Sequence, residues 1–265
     1  MVRGVPVWLR AGAAIFVCLT AVFMLAPLIV VVGVSVSESQ FVVFPPQGFS
    51  LRWYEKALGS TAYLDAFRLS LVLAVVVTVT ATLVGGAAAI ALSRRSSTGL
   101  LETFFLSPLL LPSIIFAIGL LMLWSTLFGA TSFRALWLAH TVVVLPYVIR
   151  TTLAVLAERD PFVEEAARTM GASRLQRLWF VTLPQCRPGL AAGAFFAFNI
   201  SFDEAVLSLF LRTPNLTTLP VQIYGQLEFS PDPTVAAVST LMILITILLM
   251  VVLDRMLGLA RFASG

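Results

Sequence analysis

Charged residues are scarce in this sequence. Only 11% of its 265 residues are Asp, Glu, Lys or Arg, whereas a soluble domain carries about 25%. Hydrophobic residues make up 59%, and the mean hydropathy is +0.99. This composition excludes an ordinary soluble domain and predicts a membrane protein. The net charge of +4 is spread over the ends of loops, so it indicates membrane orientation and not nucleic-acid binding.

Residues that build catalytic or metal centres are equally rare. The two cysteines, Cys18 and Cys186, lie in an apolar run and in a charged loop, so we expect two free thiols. The single histidine, His140, cannot form a histidine metal site, and we expect a neighbouring helix to satisfy it. Because no Ser–His, Cys–His or metal-ligand pattern is present, the sequence predicts neither an enzyme nor a bound cofactor or metal.

Lysine occurs once, at Lys56 in the sequence Tyr-Glu-Lys-Ala. A phosphate-binding P-loop requires a lysine between a glycine and a serine or threonine, so this chain has no such nucleotide site. If the chain takes part in ATP-driven transport, another subunit must bind and hydrolyse the ATP.

Six segments are apolar for the roughly 20 residues that a transmembrane helix needs. The sequence therefore predicts an all-α fold, a polytopic membrane protein with six transmembrane helices in one domain. Pro108 and Pro112 in the third segment and Pro146 in the fourth are expected to kink their helices. The predicted spans lie near residues 12–35, 64–92, 100–124, 135–157, 188–210 and 234–253.

The positive charges predict how these spans are oriented. With the N-terminus in the cytoplasm, twelve of the 17 Lys and Arg residues lie on the cytoplasmic side. Both termini and the loop 158–187 are then cytoplasmic. The five that lie outside are Arg52, Lys56, Arg68, Arg134 and Arg212.

The loop 158–187 is the longest charged and amphipathic segment, and two short helices are predicted in it. Asp160 is a suitable N-cap for the first helix, and Gly171 can end it in a left-handed conformation. Ser173, with Gln176 three residues later, predicts a capping box at the start of the second helix.

Pro184 is expected to end this second helix. Glu164 precedes Arg168 by four residues, the favourable order for an ion pair within the first helix. Two short helices around a glycine, with apolar faces and no membrane-length span, are typical of a docking element. The alternative is an amphipathic linker that lies on the bilayer surface.

The loop carries a spaced motif at Glu165–Ala167 (EAA), Gly171 and Val181–Pro184 (VTLP). It resembles the EAA loop of binding-protein-dependent ABC importer permeases, which usually have isoleucine in place of Val181. The resemblance implies a pair of coupling helices that seats in a groove of a separate cytoplasmic ABC ATPase dimer. It also implies a second permease subunit (a homologue) and an extracytoplasmic substrate-binding protein at a bacterial inner membrane. The residues implied in docking are Glu164, Glu165, Ala166, Ala167, Gly171, Leu183 and Pro184.

Two carboxylates, Asp203 and Glu204, lie inside the fifth predicted span. An ionised side chain at the bilayer centre costs about 2.5–3.5 kcal/mol, so both are expected to face protein, water or a cation. Helical spacing places Glu204 beside a stripe of small residues and Asp203 above Asn199. Either Glu204 is buried at a helix contact while Asp203 and Asn199 line a cavity, or the reverse; otherwise both acids are structural. The stripe is Gly189, Gly193, Ala197, Ser201 and Ala205, and a shorter one is Ala81, Gly85 and Ala89.

Three stretches, Ser201–Glu204, Thr218–Tyr224 and Ser230–Ala237, resemble the spermidine/putrescine branch of these permeases. The resemblance implies an importer of polyamines. Carboxylates in a partly desolvated path stabilise a polycation, and aromatic faces add cation–π attraction. The residues implied in the substrate pathway are Asn199, Asp203 and Glu204.

Two other functions stay open at this point. One is an ABC importer permease for another small solute. The other is an ion-coupled secondary carrier or channel that uses Asp203 or Glu204 as a proton or cation site.

Overall fold

The computed structural model describes residues 7–94 and 99–257. These residues form helices and no β-strand, apart from an isolated bridge between Thr213 and Leu216, which confirms the predicted all-α fold. The α-helices are α1 (Val7–Ser35), α2 (Arg52–Gly59), α3 (Thr61–Ser93), α4 (Gly99–Leu106), α5 (Ser113–Phe128), α6 (Phe133–Ala157), α7 (Pro161–Thr169), α8 (Arg174–Arg177), α9 (Leu183–Asp203), α10 (Val206–Leu211), α11 (Leu219–Phe229) and α12 (Thr234–Leu257). A 3-10 turn, Ser107–Leu110, follows α4, and a π turn, Leu178–Thr182, joins α8 to α9.

Four helical segments among the described residues are long and apolar enough to cross a membrane, and each overlaps a predicted span. The third predicted span is instead a pair of helices, Gly99–Leu110 and Ser113–Phe128, bent by 100°. Counting this pair as one span gives five, and α9 is not among the helices that meet the length and apolarity criteria. The count of six spans therefore stays a prediction. The four segments are Trp8–Ser35, Thr61–Ser93, Phe133–Ala157 and Thr234–Val252.

Proline acts differently in the third and fourth predicted spans. Pro108 lies in the 3-10 turn after α4, and Pro112 is the residue before α5. Proline lacks an N–H, and its ring clashes with the carbonyl four residues earlier, so two closely spaced prolines separate α4 from α5. In contrast, α6 continues through Pro146 as one α-helix.

The described residues divide into two compact units. The N-terminal unit comprises the described residues up to Thr61 together with Ile223–Ile245. In this unit the buried Trp53 of α2 donates its Nε1–H to the carbonyl oxygen of Ser37 at 2.8 Å. The central unit comprises Ala62–Gln222 together with the described residues from Thr246 on, and it contains the candidate site.

The core of the central unit is formed by apolar side chains from α3, α5, α6, α9 and α10. Small residues bring these helices together, as both stripes predict. A Cβ built on Gly189 of α9 would lie 2.7 Å from the carbonyl oxygen of Thr151 in α6, and one on Gly85 of α3 would lie 3.0 Å from Val148 Cβ. The stripe residues that are buried are Ala81, Gly85, Ala89, Gly189, Gly193, Ala197 and Ser201.

Candidate functional site

The loop after α6 folds into the two predicted short helices. Asp160 Oδ1 accepts the backbone N–H of Phe162 at 2.9 Å and caps α7. Gly171 follows α7 with a φ of 85°, a conformation that costs glycine little. Ser173 and Gln176 form the reciprocal capping box at the start of α8. These three signals act within a few residues of chain, and each is confirmed.

The second helix does not end at Pro184 as predicted. The helical path continues from α8 through the π turn into α9, with the Leu183 N–H bonded to the Leu178 carbonyl. Pro184 lies in the first turn of α9, directly after the π turn, so its missing N–H interrupts the hydrogen-bond ladder there without ending the helix. The loop is therefore connected to α9 by continuous helix.

The predicted ion pair between Glu164 and Arg168 is also wrong. Glu164 Oε1 lies 3.2 Å from Arg94 Nη2 at the end of α3, and Glu164 Oε2 lies 3.2 Å from Arg159 Nη1 just after α6. The Glu164 side chain is only 21% exposed, so it points toward the helix ends, whereas Arg168 is exposed. Glu164 thus has two cationic partners, Arg94 with a side chain 41% exposed and Arg159 with one 17% exposed. Partial burial of Glu164 and Arg159 strengthens their attraction relative to a pair on the exposed face of α7.

The residues implied in docking differ in exposure. Glu165 and Ala166 are exposed on α7, and Ala167 on the opposite side is 8% exposed. Leu183 and Pro184 are half-buried at the start of α9. Leu183 packs against the buried cluster Ile90, Leu156 and Cys186, which indicates a supporting role beneath the loop surface.

Apolar side chains project from this loop into the surroundings. Met170 is 81% exposed and Phe180 is 78% exposed. Between α7 and the α8–π segment lies a cavity of about 390 Å³ that is open to the surroundings. Exposed apolar groups around a concave surface mark an interaction site. The cavity is lined by Ala167, Met170, Gly171, Ala172, Gln176, Arg177, Phe180 and Val181.

The two acids of the fifth predicted span have different surroundings. α9 ends at Asp203, and Glu204 has an extended conformation (φ −73°, ψ 102°). Glu204 Oε1 accepts the backbone N–H groups of Val206 at 2.9 Å and Leu207 at 3.1 Å. Glu204 thus caps α10, and its placement by continuous helical spacing is wrong because the helix ends one residue earlier. The predicted single span is split between α9 and α10.

Asp203 and Asn199 lie on the side of α9 opposite to the buried stripe. Asp203 is exposed, and the half-buried Asn199 donates from Nδ2 to the carbonyl oxygen of Phe195 at 2.9 Å. That Asp203 and Asn199 line a cavity stays a prediction.

His140 connects three helices near this break. It is 1% exposed, and its Nδ1 lies 3.0 Å from Ser201 Oγ in α9 while its Nε2 lies 3.1 Å from Ser208 Oγ in α10. The expectation that neighbouring helices satisfy His140 is confirmed.

Sequence reasoning missed Arg94, Arg159 and Thr182 as partners of the loop. Thr182 is fully buried, and its Oγ1 accepts from Arg94 Nη2 at 3.4 Å. The available signal was positional: both arginines follow the end of a predicted span on the side where the loop lies. Nothing in their spacing identifies Glu164 as the shared partner, since Arg94 precedes it by 70 residues.

Comparison with known proteins identifies the family. Residues 81–260 match the family described as "Binding-protein-dependent transport system inner membrane component". The chain belongs to this family. It is a multi-pass inner-membrane permease subunit of an ABC importer, a transport component and not an enzyme. This assignment also excludes the ion-coupled secondary carrier as the protein's class.

The permease is similar to two curated proteins of Escherichia coli (strain K12). It is 31% identical to the putrescine transport system permease protein PotI over 91% of this chain and 89% of PotI. It is 30% identical to the spermidine/putrescine transport system permease protein PotC over 92% of this chain and 91% of PotC.

A solved structure has the same fold. It is the crystal structure of a bacterial ABC transporter involved in the import of the acidic polysaccharide alginate, with a TM-score of 0.70 and 17% identity. The match covers 93% of this chain and 95% of the other. At this identity the likeness concerns the fold alone.

Proposed function

We propose that the permease imports polyamines, the class that includes putrescine and spermidine. The observation that carries this proposal is the exposed carboxylate of Asp203 at the end of α9, one turn beyond Asn199. A polyamine has several positive charges and few other features, so a carboxylate in a partly desolvated path attracts it strongly. PotI and PotC, which are named for putrescine and spermidine/putrescine transport, support the same class.

Aromatic rings in the last turn of α9 support a cationic substrate as well. Phe198 stacks on Phe202 with 5.5 Å between ring centroids, and Phe67 meets Phe202 edge-on at 6.2 Å. Phe202 is buried, whereas Phe198 is only half-buried. The accessible face of Phe198 can add cation–π attraction for a cation that passes the C-terminal end of α9.

The loop 158–187 is the proposed contact with the ATPase dimer, on the cytoplasmic side together with both termini. Glu165 and Ala166 are exposed on α7, and Gly171 gives the turn that places Met170 and Phe180 around the open cavity. A second permease subunit, a homologue, completes the path, and an extracytoplasmic protein delivers the substrate. The six-span arrangement belongs to the same proposal.

An ABC importer permease for another small solute is the second candidate. This candidate is favoured because the proposed path contains one exposed carboxylate, Asp203, whereas a polyamine carries at least two positive charges. A partner subunit can supply the other acid. For the loop, the alternative is a linker on the bilayer surface, which the exposed Met170 and Phe180 also suit.

Putrescine uptake by the Asp203→Asn variant tests whether the charge of Asp203 attracts a polyamine. In proteoliposomes that contain the full transporter, we expect Asp203→Asn to reduce putrescine uptake at least about tenfold, the effect of losing roughly 1.4 kcal/mol of charge interaction. Asp203→Glu is the charge-retaining control and should keep most uptake. Equal loss of uptake and of subunit assembly would mean that Asp203 is structural. A wild-type complex that takes up neither putrescine nor spermidine would exclude the polyamine assignment.

Gly171 tests the docking role of the loop. Gly171→Val places a β-branched residue at a φ of 85°, which is strongly unfavourable, whereas asparagine tolerates this region. We expect Gly171→Val to lose copurification with the ATPase and to lose uptake, and Gly171→Asn to retain both. Normal uptake by Gly171→Val at normal expression would rule out the coupling role, and binding of the loop to vesicles without an ATPase would favour the linker.

A further inference from the structure

The helix that carries the proposed docking residues has little apolar contact with the rest of the permease. On α7, Phe162 is 71% exposed and Val163 is 45% exposed, while Ala167 is buried; Met170, directly after α7, is 81% exposed. Hydrophobic packing, the usual attachment of a short amphipathic helix, is therefore limited to a small area. Polar contacts must supply most of the remaining attachment.

These contacts converge on one carboxylate. Glu164 Oε1 accepts a hydrogen bond from Arg94 Nη2 at 3.2 Å. Glu164 Oε2 forms an ion pair with Arg159 Nη1 at 3.2 Å, without hydrogen-bond geometry. We name this set the Arg94–Glu164–Arg159 bridge. Arg159 is 17% exposed and Glu164 is 21% exposed, so water screens the pair less than it screens an ordinary surface pair.

The bridge reaches helix ends that are themselves firmly packed. Ile90 lies one turn before Arg94 in α3, and Leu156 lies three residues before Arg159 in α6. Both belong to a buried cluster with Cys186 of α9. A force that moves α7 through the bridge therefore acts on the ends of α3 and α6 at a rigid point.

Arg94 also connects to the helix that continues toward Asp203. Its Nη2 donates to Thr182 Oγ1 at 3.4 Å in the π turn, and that turn leads without a break into α9. The neighbouring Glu165 faces away, is exposed, and makes no ion pair with any residue that the structure describes.

We propose that Glu164 is a positioning residue that couples α7 to the transmembrane helices through Arg94 and Arg159, while Glu165 is left for the ATPase. This inference rests on the proposed docking of the loop. The two adjacent carboxylates thus have different roles. Glu165 binds the ATPase, and Glu164 transmits the movement of α7 to the transmembrane helices.

These different roles predict that matched variants of the full transporter lose different properties: ATPase copurification in one case and import per ATP hydrolysed in the other. Glu164→Gln should retain ATPase copurification and lower the amount of putrescine imported per ATP hydrolysed at least about fivefold, the lower end of typical coupling between sites. Arg94→Gln and Arg159→Gln should each give a loss of the same kind. Glu165→Gln should weaken copurification instead. Glu164→Asp, which keeps the charge on a shorter side chain, should recover part of the coupling.

A distance measurement tests the bridge without any substrate. Spin labels at Met170→Cys, directly after α7, and at Ala91→Cys near the end of α3, both exposed positions, should give one narrow distance distribution with and without trapped ATP. The background carries Cys18→Ser and Cys186→Ala. Adding Glu164→Gln should broaden the distribution, and adding Glu165→Gln should leave it narrow.

Three outcomes overturn the inference. They are an unchanged distance distribution in Glu164→Gln, an unchanged import per ATP, or loss of copurification equal to that of Glu165→Gln. Failure of the docking proposal looks different: no ATPase copurifies with the wild-type chain, although the distance distribution still depends on Glu164.

Discussion

Gly193 of α9 lies directly against Val148 of α6. A Cβ built on Gly193 would be 2.9 Å from Val148 Cα and 2.8 Å from the Thr151 hydroxyl oxygen. Because Val148 Cα is a backbone atom, it cannot rotate away as the end of a flexible side chain can. The absence of a side chain at this position is therefore what allows α6 and α9 to pack so closely.

Adding one methyl group at Gly193 should separate these helices. We expect Gly193→Ala to lower the free energy of unfolding by about 1–3 kcal/mol, the usual cost of overpacking. The matched control is Gly119→Ala in α5, where the described residues, apart from the chain neighbours and the adjacent helix backbone, place no atom within 4 Å of the added Cβ. Alanine also favours the helix by up to about 1 kcal/mol over glycine. Thermal unfolding in detergent compares the two, and equal midpoints would contradict the close contact.

The small-residue stripes and the caps at Asp160 and Ser173 could be predicted because each signal is contained within one segment of sequence. The partners of Glu164 could not, because Arg94 is brought to it by the packing of α3 against α6 and not by helical spacing. The break at Glu204 was also missed. The residues there are compatible with a continuous helix. The interruption is accompanied by contacts that helical spacing does not show: Leu207 and Leu211 of α10 pack in the core, and Glu204 accepts two backbone N–H groups of α10.

Glu204 should matter more for stability than for transport. Its carboxylate caps α10 through two backbone N–H groups, so Glu204→Ala should cost about 0.5–2 kcal/mol of unfolding free energy. Glu204→Gln keeps an acceptor oxygen and should lose less. The unfolding midpoints of both variants, measured beside their uptake rates, test this role. Wild-type stability with abolished uptake in Glu204→Gln would place Glu204 in the substrate path instead.

His140 and its hydrogen-bond partners Ser201 and Ser208 should contribute non-additively to the free energy of unfolding. Removing the imidazole leaves buried hydroxyls without this partner, at about 1–3 kcal/mol for each unsatisfied group. A serine in a helix can bond to an earlier carbonyl, so the lower end is expected. A double-mutant cycle with His140→Leu and Ser201→Ala should show a coupling of at least about 0.5 kcal/mol. Strictly additive unfolding free energies would show that this hydrogen bond contributes nothing to stability.

Lys56 and Asp232 form an ion pair in the N-terminal unit, with 2.6 Å between Nζ and Oδ2. Burial raises the pKa of Asp232, but hydrogen bonds from Lys56 and Thr234 and the charge of Lys56 outweigh it, so the pKa lies below its ordinary value. A carboxyl whose pKa is depressed by folding stabilises the folded form at neutral pH. That stabilisation is lost as the pH falls below the range in which a free aspartate titrates.

Hydrogen exchange of the α2 peptide should follow this titration. After correction for the intrinsic rate, protection should fall as the pH drops through the acid range in the wild type. Asp232→Asn should be less protected at neutral pH, lack the transition, and approach the wild type at the acid end. Because Lys56 is the only lysine of the chain, labelling with an amine-reactive reagent gives a second readout at neutral pH. Asp232→Asn should speed this labelling about two- to fivefold, the factor for an exposed pair worth up to about 1 kcal/mol. An identical labelling rate in both proteins would mean that the pair does not hold the ammonium group in solution.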